Sequence, residues 1–239
     1  MSPVFSKALT IVGAVVIAAT WIYLVLVRPT DWENVGASSP ALLTLIGYLG
    51  GTALLLAGIF PTLSARVLTL IPVALVLNMV IGQVVGSFAI PLYLDSIGTV
   101  LVAVLAGPAA GAATGALSSV VWGLLNPAAL PFAAVSATVG FLAGVVKQRG
   151  GFRNIVWVVL WGALVGLVCG ALAAPVAAFV YGGTAGVGTG AVVALFREMG
   201  NSLLASVTMQ AFTSDPLDKA AVFAFVFLLV KALPKRVTQ

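Results

Sequence analysis

Apolar residues run through the chain in long blocks separated by short polar breaks, with no helical or strand alternation against charged residues. The blocks at 8–27, 41–60 and 67–85 each have the ~17 or more residues that a helix needs to cross ~30 Å of hydrocarbon. A shorter block follows at 97–106. Gly107-Pro108 punctuates it, and 109–125 continues as the next helix. Asn126-Pro127 reads as a turn, and 131–146 as a helix that begins where proline is tolerated. After the basic loop KQRGGFRN, 155–180 is long enough to span with tilt. A last block covers 221–233, with a start as early as 217.

Residues 182–218 break this rhythm. GGTAGVGTG is glycine-rich, and AVVALFREMGNSLLASVTMQAF fits one helix or two, with Arg197, Glu198, Asn201 and Gln210 inside it. A charge at the bilayer centre costs ~2.5 to 3.5 kcal/mol on insertion scales. The segment is therefore expected to stay out of the lipid as an excursion, and the pattern predicts an all-α polytopic membrane protein of eight spans.

Composition agrees. The chain is 62% hydrophobic and 7% charged, with a mean hydropathy of +1.21, whereas a soluble domain carries roughly a quarter of its residues charged. The first block is too long for the apolar core of a signal peptide, and Trp21 and Tyr23 stand where cleavage would fall, so it reads as a retained anchor.

Charge placement sets the expected orientation. With eight spans and Lys7 in the cytoplasm, Arg66, Lys147, Arg149, Arg153, Lys231, Lys235 and Arg236 also fall inside. Arg28, Lys219, Arg197 and all six acidic residues fall outside. That is the positive-inside pattern, with both termini cytoplasmic. It also accounts for the net charge of +5 without nucleic acid.

Small residues four apart mark where helices approach closely. Gly107, Gly111 and Gly115 form one such series, Gly162, Gly166 and Gly170 another, Gly140 and Gly144 a third, and Ala14 and Ala18 a weaker pair. Packing within the chain and docking of another membrane subunit both fit this spacing.

Enzyme chemistry finds no support in the residues. The chain has no histidine to act as a general base, and its single cysteine, Cys169, has no activating neighbour in sequence. No cluster has metal-ligand spacing, GPAAGAATG lacks the Lys-Ser/Thr ending of a phosphate loop, and no cofactor is implied.

The expected topology gathers the polar side chains in the outer leaflet: Asn78, Gln83, Tyr93, Asp95, Thr99, Trp122, Asn126, Asn201, Gln210 and Asp215. Unpaired polar groups are costly in lipid, so these face protein, water or a ligand. Asp95 fits an N-cap of the following helix as well as a ligand acceptor. Trp122 fits the interfacial aromatic belt, and Asn78 an interhelical hydrogen bond. Asp215 and Asp218, flanking Pro216, fit caps of the last helix.

Residues 77–146, from LNMVIGQVVGSFAIPLYLDSIGTV to FLAGVV, resemble the substrate-binding S component of energy-coupling factor transporters. SDPLDKAAVFAFVFLLVKALPKR continues the likeness more weakly. The resemblance implies a six-helix membrane core at 63–239, including the excursion at 182–218, behind two added helices within 1–62. It implies a vitamin or similar micronutrient bound near the outer side of a bacterial cytoplasmic membrane. It also implies a transmembrane scaffold subunit and two cytoplasmic ATPases as partners. The family's alanine pair on the first core helix has no clean copy in LTLIPVALVLNMVIG. An ion-coupled secondary transporter and a ligand-sensing membrane domain are the rival classes.

Overall fold

A computed structural model describes residues 2–28, 38–183 and 186–232. Asp31, Glu33, Lys235 and Arg236, used in the charge census, lie outside the described residues. Among the described residues nine α-helices run α1 Pro3–Val27, α2 Ser39–Ile59, α3 Ala65–Gly86, α4 Ile97–Ala106, α5 Pro108–Gly123, α6 Ala133–Gln148, α7 Ile155–Val180, α8 Val187–Glu198 and α9 Leu203–Ala232. The 3-10 turn Pro127–Phe132 leads into α6, and the described residues contain no strand.

Among the described residues, five stretches are long and apolar enough to cross a membrane: α1, α2 with its terminal turn, α3, Pro127–Gln148 and α7. Their outward faces confirm the character of the surface. Val73, Val76, Val80 and Val84 on α3, and Val156, Leu160, Leu164 and Leu167 on α7, are all exposed. Apolar patches of that extent face lipid, not water. The chain is an all-α polytopic membrane protein.

Small residues set the helix pairs. A Cβ on Gly111 would run into the backbone carbonyl of Gly140, one on Gly115 into that of Ser136, and one on Gly144 would come within 2.5 Å of Pro108. α5 and α6 are therefore in backbone contact and antiparallel. Gly162 and Gly166 of α7 meet α9 in the same way, at Lys219 and Pro216. Gly13 and Gly51 bring α1 and α2 together. Two long-range bonds join that pair to the rest: Trp21 Nε1 donates to the Leu172 carbonyl at 3.1 Å, and the buried Tyr48 hydroxyl to that of Pro131 at 3.3 Å.

The structure departs from the sequence pattern in two places. The last helix begins at Leu203, so 203–218 belongs to a 30-residue helix and Asp215 and Asp218 sit near its middle instead of capping its start. The insertion cost was counted for the charges at Arg197 and Glu198, but these end the separate helix α8 and are exposed, while Gln210, Asp215, Asp218 and Lys219 of α9 are buried in protein. The glycine series in α5 and α6 also differ from a partner surface. Gly111, Gly115, Gly140 and Gly144 are consumed by packing within the chain, and Gly107, with φ 92°, makes the turn between α4 and α5. Ala14 and Ala18 alone of that set are exposed.

The fourth span is discontinuous. α4 has ten residues, ~15 Å of helix, about half the hydrocarbon thickness. Its first turn lies beside Ala74 and Asn78 of α3, roughly 12 Å below the α3 C-terminus at 1.5 Å per residue. Non-helical chain at 87–96 descends that distance into the bundle.

Candidate functional site: a cavity at one end of the bundle

Backbone that is neither helix nor sheet must find its hydrogen-bond partners locally when it is surrounded by lipid and protein. The descending segment finds them on α9. Asp218 Oδ1 accepts the amides of Tyr93 at 2.8 Å and Leu94 at 2.7 Å. Leu94 has φ 50°, a left-handed conformation that costs a branched residue ~1 to 2 kcal/mol. The paired amides hold it there. Asp218 is fully buried, and its other oxygen accepts from Lys219 Nζ at 2.6 Å. Lys219 also reaches Asp95 at 3.4 Å, so consecutive residues of α9 grip three consecutive residues of the descending segment.

Where that segment meets α4, Asn78 does the capping. Its Oδ1 accepts the Gly98 amide, an orphan donor of the first turn, at 2.7 Å. Its Nδ2 donates to Thr99 Oγ1 at 2.9 Å and Ser118 Oγ at 3.2 Å. Asp95 does not cap α4. Ser96 occupies the N-cap position, and its hydroxyl has no partner among the described residues.

Above this floor opens a cavity of about 420 Å3. Its walls are the C-terminal ends of α3, α5 and α7, the N-terminal halves of α6 and α9, the 3-10 turn and the descending segment. Seven of the expected site residues line it: Gln83, Tyr93, Asp95, Trp122, Asn126, Gln210 and Asp215. Asn126 also accepts the Ala128 amide at 3.2 Å and so shapes the turn at the rim.

Three expected residues stand elsewhere. Asn78 and Thr99 form the buried network beneath the cavity and do not line it. Asn201 closes the end of α8 by donating to the Phe196 carbonyl at 3.0 Å, away from the cavity.

The structure adds residues that the sequence pattern did not single out. Lys219, assigned by the charge census to an external loop, is inside the bundle and lines the cavity. Phe132 and Tyr181 contribute a stacked pair, with centroids 5.9 Å apart and planes 12° apart, and the Tyr181 hydroxyl donates to the Ala128 carbonyl at 3.0 Å. Ser119 and Ser136 share a 2.8 Å hydrogen bond on the wall between α5 and α6. Cys169 lies at the base of the α7 wall. The Asp-Pro-Leu-Asp-Lys run was the available signal for Lys219, since two acids and a base within one helical stretch can neutralise one another inside a bundle.

Gly82 fixes the position of two lining side chains. A Cβ there would lie 2.6 Å from Trp122 Cη2 and 2.9 Å from Asp95 Cβ, so the indole and the aspartate occupy the space that any larger residue would take.

Two polar groups in the walls are unsatisfied. The Gln210 amide, 5% exposed, makes no hydrogen bond among the described residues, and neither does the Ser96 hydroxyl, 4% exposed. Buried polar atoms without partners cost ~1 to 3 kcal/mol each. Placed on a cavity wall, they are donors and acceptors available to an occupant. The described residues hold no group of histidine, cysteine and acidic side chains arranged for a metal ion.

No protein-family model matches the chain, and neither a curated protein nor a solved structure matches it.

Proposed function

We propose that the chain is the substrate-binding membrane subunit of an uptake system for a small organic micronutrient, of vitamin, nucleobase or nucleoside-like size. The cavity carries this reading: Tyr93, Trp122, Phe132 and Tyr181 line it together with polar groups, two of which have no partner among the described residues. Concave, mostly apolar sites with a few fixed polar groups are the usual form of small-molecule sites. The resemblance of residues 77–146 to the S components of energy-coupling factor transporters supports the same reading. It brings a transmembrane scaffold and two separate ATPases as the proposed partners.

Orientation follows from the basic residues. Lys7, Arg66, Lys147, Arg149, Arg153 and Lys231 belong to helix ends and a loop at the end of the bundle opposite the cavity. By the positive-inside rule the cavity then opens to the exterior of a bacterial cytoplasmic membrane, with both termini cytoplasmic. The protein supplies binding, and the energy for release inward comes from the partner ATPases.

Mass spectrometry of the chain purified in mild detergent tests the reading. A stoichiometric small organic molecule is expected, with co-purification of two ATPase chains and a scaffold at native expression. Purified chain that carries no ligand, and takes up none from a vitamin and nucleobase panel, overturns it.

The discontinuous fourth span favours a second reading, an ion-coupled carrier, because such carriers build their sites from broken helices at mid-membrane. Uptake driven by an ion gradient in liposomes holding this chain alone would establish that alternative.

A further inference from the structure

The ionisable groups around the cavity do not cancel one another. Asp218 is closed, with two amides on one oxygen and Lys219 on the other. Lys219 spends its remaining reach on Asp95. Asp215 stands one turn before Lys219 on α9, lines the same cavity and is 7% exposed. It makes no hydrogen bond and no close ion pair among the described residues. Three carboxylates therefore surround one ammonium.

Other cations do not make up the difference. Arg28 lies over the Phe179 ring at 3.8 Å, and Arg197 lines a separate shallow pocket beside α8. The remaining described basic residues are at the far end of the bundle. A buried carboxylate without a counter-charge is strongly unfavourable, and an anionic occupant would add to that. Tyr93, Trp122, Phe132 and Tyr181 add aromatic rings to the other walls, and π faces attract cations. Gln210 completes the set with an amide nitrogen that has no acceptor.

We infer that the cavity takes an organic monocation, with a protonated or quaternary nitrogen against Asp215, a flat apolar body among Trp122, Phe132 and Tyr181, and a hydrogen-bond acceptor towards Gln210. The inference rests on the small-molecule reading of the cavity and narrows it to one charge class. The cation restores neutrality at the wall where Asp215 shares its nearest ammonium, Lys219, with Asp218 and Asp95. Lys219, held by Asp218 and Asp95, is not available to attract an anion.

Three probes sharing one ring decide it: benzyltrimethylammonium, benzyl alcohol and benzoate. Each is titrated against the purified full chain in matched detergent, with the unfolding temperature as readout. The ammonium is expected to give a saturable rise, with an apparent affinity at least about tenfold above that of the alcohol, while benzoate gives none. Asp215→Asn is expected to bring ammonium and alcohol within about twofold, and Asp215→Glu to keep the preference. Alcohol or benzoate binding as tightly as the ammonium overturns the inference and leaves the small-molecule reading standing. A cation preference that survives in folded Asp215→Asn also overturns it. Should that variant fail to fold, the wild-type ranking of the three probes decides alone. Saturable binding of none of them removes the cavity as a small-molecule site, and the inference with it.

Discussion

Asp218 and Lys219 are adjacent in sequence and bonded to each other at 2.6 Å, yet each also holds a different part of the same descending segment. Their pairing is structural as well as electrostatic. Removing Asp218 leaves the Tyr93 and Leu94 amides without partners and the buried Lys219 with Asp95 alone, and breaking a buried ion pair costs ~3 to 5 kcal/mol. Asp218→Ala is expected to lower the unfolding temperature sharply and to reduce folded yield. Asp218→Asn combined with Lys219→Met, which removes both charges and keeps an acceptor for the amides, should recover a substantial part of the loss. Scanning fluorimetry of the two variants checks this, and equal loss in both would deny the charge its role.

Asn78 serves folding and not recognition. Its side chain ties α3, α4 and α5 below the cavity floor. Asn78→Leu leaves the Gly98 amide orphaned, at ~1 to 3 kcal/mol for each unsatisfied group. The variant should unfold at lower temperature, while the molecules that remain folded bind the retained ligand with wild-type affinity. A tenfold affinity loss in the folded fraction would put Asn78 in the site after all.

Gly82→Ala probes recognition with a single methyl group. The added carbon meets Trp122 Cη2 at 2.6 Å and Asp95 Cβ at 2.9 Å, so these two lining groups must shift. Ligand affinity should fall by roughly tenfold or more, as expected when an aromatic contact worth ~1 kcal/mol and its neighbour are displaced together. Isothermal titration on the folded variant provides the measurement, and unchanged affinity would show that the indole does not touch ligand.

The two classes of small-residue pair should separate cleanly. Gly140→Val drives a side chain into the α5 backbone at Gly111 and should cost stability with or without any partner present. Ala18→Leu, on the exposed face of α1, should leave the isolated chain as stable as wild type. If α1 docks a scaffold subunit, the same leucine should abolish co-purification, and pull-down against the native membrane fraction reports it.

Orientation can be read directly. In a Cys169→Ser background, Ser87→Cys at the cavity end should react with an impermeant maleimide in intact cells. Gln148→Cys at the basic end should react only after permeabilisation. The reverse result would invert the proposed topology.

Much of the architecture was legible because lipid imposes a simple rule on sequence: long apolar blocks must cross, and α1, α2, α3, Pro127–Gln148 and α7 have the length and apolarity to do so, close to the expected limits. The pooling of Gln83, Tyr93, Asp95, Trp122, Asn126, Gln210 and Asp215 followed from alternating directions through the membrane alone. The part that was not legible depends on long-range partners. The start of α9 was hidden because Arg197, Glu198, Asn201 and Gln210 make 182–218 look too polar to enter lipid, and the tolerance of Asp218 and Lys219 inside the bundle comes from Asp95 and the Tyr93 and Leu94 amides more than a hundred positions away. Asp95 looked like a cap for the same reason: the true partner of the Gly98 amide, Asn78, sits on a different helix.

The clamp on Tyr93 and Leu94 has a consequence for how the chain tolerates change in length. Proline- and serine-containing stretches such as 87–96 ordinarily absorb insertions and deletions. This one is pinned at its upper end by α3, at two successive amides by Asp218, and at its lower end by the first turn of α4. It has no slack to share. One residue more or fewer would take Asp95 out of register with Lys219 and rotate the entry to α4, so the stretch keeps its length as strictly as a helix, although it has none of a helix's regularity.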